Sequence, residues 1–218
     1  MKAIAALALL LIVQDKPLFE ERFEGKLSDG WSWVREDPAS WKLENGAIRI
    51  KSQPGTIFYK TNNAKNMLFR ASPAAGTESD PVAAEVSVTS DPAVNGEQAG
   101  LLLYVDDSNY VKLVREYDKP KDGEGRVSAV MLREAKGIPE PFQKKAEAPV
   151  RLRLVWSGPK VIGQYQGVGA QEWVTLATVE APPGENPRFG ICSNGAPADA
   201  DRWATLREFR ILKVPAVK

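Results

Sequence analysis

The chain has 218 residues with 29 basic against 28 acidic side chains, and 43% of it is hydrophobic, which suits one large domain with a real core. Near-neutral charge without a long basic run excludes a phosphate-backbone partner, so no nucleic acid is expected. With no His and a single Cys, the chain has no Ser-His-Asp or Cys-His relay, no Cys-rich zinc site, no CxxC pair and no intramolecular disulfide. Catalysis would have to rest on carboxylates, Lys, Tyr or an oxygen-bound metal, and no cofactor is expected.

The first element is a leader. Met1-Lys2 opens with positive charge, and Ala3 to Val13 is an unbroken apolar run of signal-peptide length, too short to span a bilayer. Cleavage is placed between Val13 and Lys16, giving a signal peptide over 1–14 and a mature domain over 15–218. No Cys follows the run, so no lipid anchor is expected. The mature protein is expected to be secreted or periplasmic, without a membrane anchor after cleavage.

Beyond the leader the apolar residues recur at period two, broken by turn residues, with no helical repeat. The expected strands run Leu18–Phe23, Trp31–Arg35, Trp41–Leu43, Ala47–Ile50, Thr56–Tyr59 and Met67–Arg70. Asn45-Gly46 joins the third and fourth as a hairpin turn. They continue through Ala84–Thr89, Ala99–Val105, Tyr110–Tyr117 and Arg126–Glu134. Val150–Trp156, Val161–Tyr165, Trp173–Val179, Phe189–Ser193 and Leu206–Leu212 complete the set. Loops rich in Pro, Gly and acidic residues cover 72–81, 119–125, 181–187 and 194–201. Ala135–Pro149 reads as irregular, its prolines opposing a long helix. About fourteen short strands at this spacing, with no linker and no repeat, predict a single all-β sandwich.

The hairpin at 98–117 is the most informative segment. One parity holds Ala99, Leu101 and Leu103 facing Val111 and Leu113. The other holds Gln98, Tyr104, Tyr110, Lys112 and Glu116. A three-residue loop Asp106-Asp107-Ser108 pairs Leu103 with Val111, whereas a two- or four-residue loop would set Leu103 against Lys112 and mix the faces. Because a one-residue slip reverses facing, the odd loop is predicted. The polar parity is either a ligand face, a solvated face, or a face covered by a loop.

Gln98-Ala99-Gly100-Leu101-Leu102-Leu103-Tyr104, the Asp-Asp turn and Asn109-Tyr110-Val111-Lys112-Leu113 together resemble the central motif of a concanavalin A-like family. That family includes regulation-of-enolase-like domains and the C-terminal domains of bacterial β-xylosidases. Gly30–Glu36, Asn45–Ile50, Val150–Leu154 and Glu208–Ile211 also fit, so the resemblance covers roughly residues 17 to 213. It implies a two-sheet jelly roll whose concave face meets carbohydrate, with an oligo- or polysaccharide as partner. An accessory role toward a separate protein partner is a further implication.

Glycan hydrolysis on such a sandwich needs two carboxyls working on one bond. Catalytic relatives carry acidic residues at alternate strand positions, and no such string occurs here. Glu85 and Glu116 are the pair that would have to converge. The Asp106-Asp107-Ser108-Asn109 turn offers oxygen ligands for calcium, but Asp and Asn favour such turns without a metal. Cys192 reads as a small buried hydrophobe. Among the six Trp, Trp156, Trp173 and Trp203 read as packing residues. Trp31, Trp33 and Arg35 share a parity and form the best aromatic-plus-cation group. A glycan-binding, non-catalytic module is therefore expected, contacting its ligand through Trp33, Arg35, Gln98, Tyr104, Tyr110, Lys112 and Glu116. A carboxylate glycoside hydrolase and a protein-interaction domain are the alternatives.

Overall fold

The computed structural model describes residues 16–58, 61–119, 121, 124–134, 141–145, 150–167 and 169–216. The leader expected over 1–14, the end of the Thr56–Tyr59 strand and most of the 135–149 stretch lie outside them. In chain order the strands are β1 (Phe19–Glu21), β2 (Trp31–Val34), β3 (Trp41–Glu44), β4 (Ala47–Lys51), β5 (Ile57–Phe58) and β6 (Thr61–Asn62). Next come β7 (Met67–Ala71), β8 (Val82–Thr89), β9 (Gln98–Asp106), β10 (Asn109–Asp118), β11 (Arg126–Glu134) and β12 (Pro141–Lys145). The set closes with β13 (Val150–Ser157), β14 (Lys160–Gly167), β15 (Val174–Glu180), β16 (Arg188–Asn194) and β17 (Trp203–Lys213). Among the described residues the only helical turn is the short 3-10 segment Pro38–Ser40.

The strands form two large antiparallel sheets. One runs β15-β14-β13-β8-β17-β4-β3, with β1 added on β17, and the other runs β12-β11-β10-β9-β16-β7-β2. Alternation places Leu101, Leu103, Val111 and Leu113 of the seven-stranded sheet against Val86, Leu152, Leu154, Leu206 and Ile211 of the eight-stranded one, all fully or almost fully buried. Each such side chain contributes on the order of 1.5–3 kcal/mol by leaving water, so this layer is what holds the sheets together. The described residues form a single-domain, all-β sandwich of two antiparallel sheets, as the strand spacing predicts.

Local chemistry explains the turns. Asn45 and Gly46 both have positive φ, 52° and 66°, as a two-residue turn joining twisted strands requires. In the central hairpin Leu103 pairs Val111 and Leu101 pairs Leu113, as the facing argument requires. The device differs from the expected three-residue loop. Asp106 pairs Asn109 across Asp107-Ser108, and a register shift then leaves Val105 as the extra residue. A bulge thus supplies the odd residue that parity demands.

Two segments depart from the sequence reading. Pro141–Lys145, inside the stretch read as irregular, pairs with β11 as an edge strand. Pro141 is tolerated as the first residue of a strand bonded on one side only. Ile57-Phe58 does not join a large sheet; it pairs with Thr61-Asn62 in a separate two-stranded arm.

Candidate functional site

The parity opposite the inter-sheet core builds the outer face of the seven-stranded sheet, where the sequence places five of its candidates. Register sets Glu116, Gln98 and Asn194 in one row across β10, β9 and β16, with Ser128 of β11 beyond Glu116. Lys112 and Leu102 lie in a second row, and Tyr110, Tyr104 and Arg188 in a third. The five predicted side chains therefore share one face.

That face is not open. Ile57 and Ala64 from the arm region pack on Met67, Phe69, Leu102, Tyr104, Tyr110, Val114, Val130, Leu132 and Cys192, forming a second, smaller core. Tyr110 is fully buried and Tyr104 nearly so. The Tyr104 ring stacks on Phe69 at 4.4 Å between centroids, and its hydroxyl donates to Asp107 Oδ1 at 2.6 Å. Neither tyrosine offers a ring face for a sugar in this conformation. Among the described residues the aromatic ring exposed here is Phe58, which is 47% accessible.

Beneath Phe58 lies the charged centre. Lys112 is 2% exposed; its ammonium donates to Gln98 Oε1 at 2.6 Å, stands 3.6 Å from Glu116 Oε2, and lies 5.9 Å from the Phe58 ring centroid. A lysine is tolerated at this depth because its charge is met, among other contacts, by a carboxylate, an amide oxygen and a π face. Gln98 donates onward to the Gly96 carbonyl at 3.0 Å. Asn194 is 1% exposed, and neither its amide oxygen nor its amide nitrogen has a hydrogen-bond partner. Such a group costs about 1–3 kcal/mol relative to a satisfied one.

Arg35 joins from the side. Its φ of 55° ends the alternation of β2 and takes it off the face shared by Trp31 and Trp33. The guanidinium donates to Asp107 Oδ2 at 2.7 Å, to Asn62 Oδ1 at 2.7 Å and to the Ala64 carbonyl at 2.7 Å, tying the arm to the hairpin tip. Burial pushes the Asp107 carboxyl up, but the hydrogen bonds of Arg35 and Tyr104 and the Arg35 charge outweigh it and hold it below the usual range. Burial, together with the Asp107 contact, pushes the Tyr104 hydroxyl well above its ordinary value. Asp106 accepts from the Ser108 amide at 2.8 Å and from the Asn109 side chain at 2.9 Å. Both turn carboxylates are thus engaged by protein donors.

Trp33 does not share the site. Its strand lies in the same sheet, but its ring packs toward the inter-sheet core and lies 4.8 Å from that of Trp41. Trp31 packs likewise, edge-on to Phe209, with its indole nitrogen donating to Glu21. The expected Trp31-Trp33-Arg35 group is therefore split between two faces. Glu85 and Glu116 do not converge either: Glu85 is on β8 of the eight-stranded sheet, bonded to Arg151 and Arg153, while Glu116 is on β10 of the other. Phe58 and Asn194 are the site residues that sequence reading missed. For Asn194 the signal was its parity with Gly190 and Cys192, hidden by reading residue 194 as loop.

Cys192 lies within the second core. Burial pushes its thiol up to about 12, although the Lys112 charge and the Gly100 backbone act the other way. The thiolate is the nucleophile, so the native protein is expected to resist alkylation at pH 8 and to react only when denatured. Labelling of the native protein at the denatured rate would show Cys192 to be accessible.

Several solved structures share the fold. The GH43 protein BlXynB of Bacillus licheniformis superposes with a TM-score of 0.75 at 22% identity, covering 88% of this chain but 39% of its own. A xylan β-1,4-xylosidase of Bacillus halodurans gives 0.73 at 15% identity, covering 96% of this chain and 42% of its own. A functionally unknown protein of Saccharomyces cerevisiae gives 0.64 at 15% identity, with 87% and 98% covered. The chain thus spans about two fifths of the length of the two larger bacterial proteins. No curated protein matches the sequence. The sequence pattern of DUF1349, described as a protein of unknown function, matches residues 33–213, and the chain belongs to that family.

Proposed function

We propose that the protein is a non-catalytic carbohydrate-binding β-sandwich, acting outside the cytoplasm, that receives a neutral oligo- or polysaccharide on the outer face of the seven-stranded sheet. The observation that carries the reading is Phe58, an exposed ring directly over the Lys112–Gln98–Glu116 cluster. A pyranose presents an apolar C–H face and a rim of hydroxyls. Phe58 suits the first, and the partly exposed Glu116 carboxylate, held in place by the buried Lys112 ammonium, suits the second. Hydrolysis by Glu85 and Glu116 is disfavoured, since the two carboxylates belong to different sheets while one glycosidic bond needs them roughly 5–9.5 Å apart.

Phe58 and Glu116 are the accessible members of the group, so they can be changed without opening the core. A glycan array is expected to identify a neutral ligand of modest affinity. In calorimetric titration, Phe58→Ala and Glu116→Gln should each weaken it about 3–10-fold. An array with no neutral ligand, or one whose affinity neither substitution changes, would overturn the reading.

A further inference from the structure

The outer face of the eight-stranded sheet takes no part in the site above. With Ala84, Val86, Leu152, Leu154 and Leu206 turned into the core, the residues between them turn outward. Register orders these into two adjoining rows, Arg207–Ser87–Arg151–Gln166 and Arg210–Glu85–Arg153–Gln164. Simple alternation would send Arg207 and Arg210 to opposite faces. The register shift between them, with Glu208 at a φ of 54°, brings both outward while Phe209 stays in the core.

Four guanidinium groups there meet the carboxylates of Glu85 and Glu208; Glu20, opposite Arg210 on β1, is paired with Arg22. Glu85, 4% exposed, accepts from Arg151 Nη2 at 2.9 Å and from Arg153 Nε at 2.6 Å. The Glu208 carboxylate accepts from the Ser87 hydroxyl at 3.1 Å. The Nε of Arg210 is buried without a hydrogen-bond partner. Positive charge is therefore in excess on this face of a chain whose overall net charge is only +1. The Trp173 ring centroid lies 4.0 Å from the Arg153 guanidinium and 5.2 Å from that of Arg151. Beside the first row, a cleft of about 440 Å³ is lined by Ser87, Thr89, Arg151, Gln166, Arg207 and Glu208.

We infer that this cleft binds an acidic saccharide through a uronic acid residue, whose carboxylate is taken by Arg151 and Arg207. Guanidinium groups recognise carboxylates through paired, charge-assisted hydrogen bonds. Glu208 favours an anion that also carries hydroxyls. Its carboxylate accepts hydrogen bonds from sugar hydroxyls, which offset its repulsion of the uronate and which inorganic phosphate as a dianion supplies poorly. Gln166 and Ser87 add further polar contacts, and Trp173 offers a ring to the adjoining sugar. The inference shares with the Phe58 reading only the idea of a saccharide ligand; its residues, sheet and charge requirement are its own.

The test is calorimetric titration of the full chain with trigalacturonate, with its fully methyl-esterified form and with inorganic phosphate, at low and at raised salt. Wild type is expected to bind trigalacturonate, less tightly as salt rises, and the ester at least tenfold more weakly. Arg207→Gln and Arg151→Gln should each weaken trigalacturonate about tenfold, while Phe58→Ala leaves it unchanged. Arg207 is exposed, so its replacement tests the site even if Arg151→Gln perturbs the Glu85 pairing. Failure of trigalacturonate to bind, equal affinity for the ester, or indifference to Arg207→Gln would overturn the inference. Phosphate competing at equal affinity would reduce the cleft to a general anion site and overturn it as well. Loss of trigalacturonate binding in Phe58→Ala alone would move the ligand to the other sheet. Arg207-dependent binding beside an array without neutral ligands would instead sink only the Phe58 reading.

Discussion

Replacing Glu85 with alanine is expected to remove about 3 kcal/mol of unfolding free energy. Glu85 is almost completely buried and is the shared acceptor of Arg151 and Arg153, with Arg210 opposite it on β17. Truncation leaves three guanidinium groups facing one another across β13, β8 and β17 without the carboxylate between them. The cost falls mainly on Arg153, whose side chain is 19% exposed against 37% for Arg151, so water can compensate the second better than the first. Breaking a buried pair is costly because it strands a charge, whereas removing both partners is often nearly neutral. The double replacement Glu85→Leu with Arg153→Leu should therefore recover most of the loss. Urea unfolding with an unchanged slope measures it. A loss below about 0.5 kcal/mol in Glu85→Ala would show that the outer-face network contributes no stability.

Lys112→Ala is expected to cost about 2–4 kcal/mol, and Lys112→Met about 1–2 kcal/mol. Lys112 is 2% exposed, so its stem is packed within the second core while its ammonium meets Gln98 and Glu116. Methionine keeps the stem volume and discards the charge; alanine discards both and leaves a cavity. Glu116 is partly exposed, at 19% of its side chain, but its Oε2 facing the ammonium is buried, so removal of the charge still has a cost. The difference between the two variants, read from denaturant midpoints, isolates the stem. If Lys112→Met proves as damaging as Lys112→Ala, the ammonium rather than the packing holds this face together.

The alternation of apolar residues was enough to determine most of the strands, the sandwich and the facing of the central hairpin, though not the edge strand Pro141–Lys145 or the arm of Ile57-Phe58 with Thr61-Asn62. Leu103 meets Val111 because a one-residue slip would set Leu103 against Lys112 and bury that lysine between the sheets, a cost local to two neighbouring strands. The same alternation placed Gln98, Tyr104, Tyr110, Lys112 and Glu116 on one face. It carried no information about what lies on top of that face. Ile57 and Ala64 reach it from some forty residues upstream of the hairpin, and their packing buries the tyrosines and leaves Phe58 as the exposed ring. Backbone irregularities were equally invisible. A positive φ at Arg35 separates it from Trp33, and one at Glu208 brings Arg207 and Arg210 to a common face. Whether Glu85 and Glu116 could meet depended on sheet membership, which is set by strand partners distant in sequence. Period-two patterning is a property of a single strand against water, so it is legible in the chain. Which strands become neighbours, and which face receives a cover, depends on burial shared between segments far apart, and only the tertiary structure decides it.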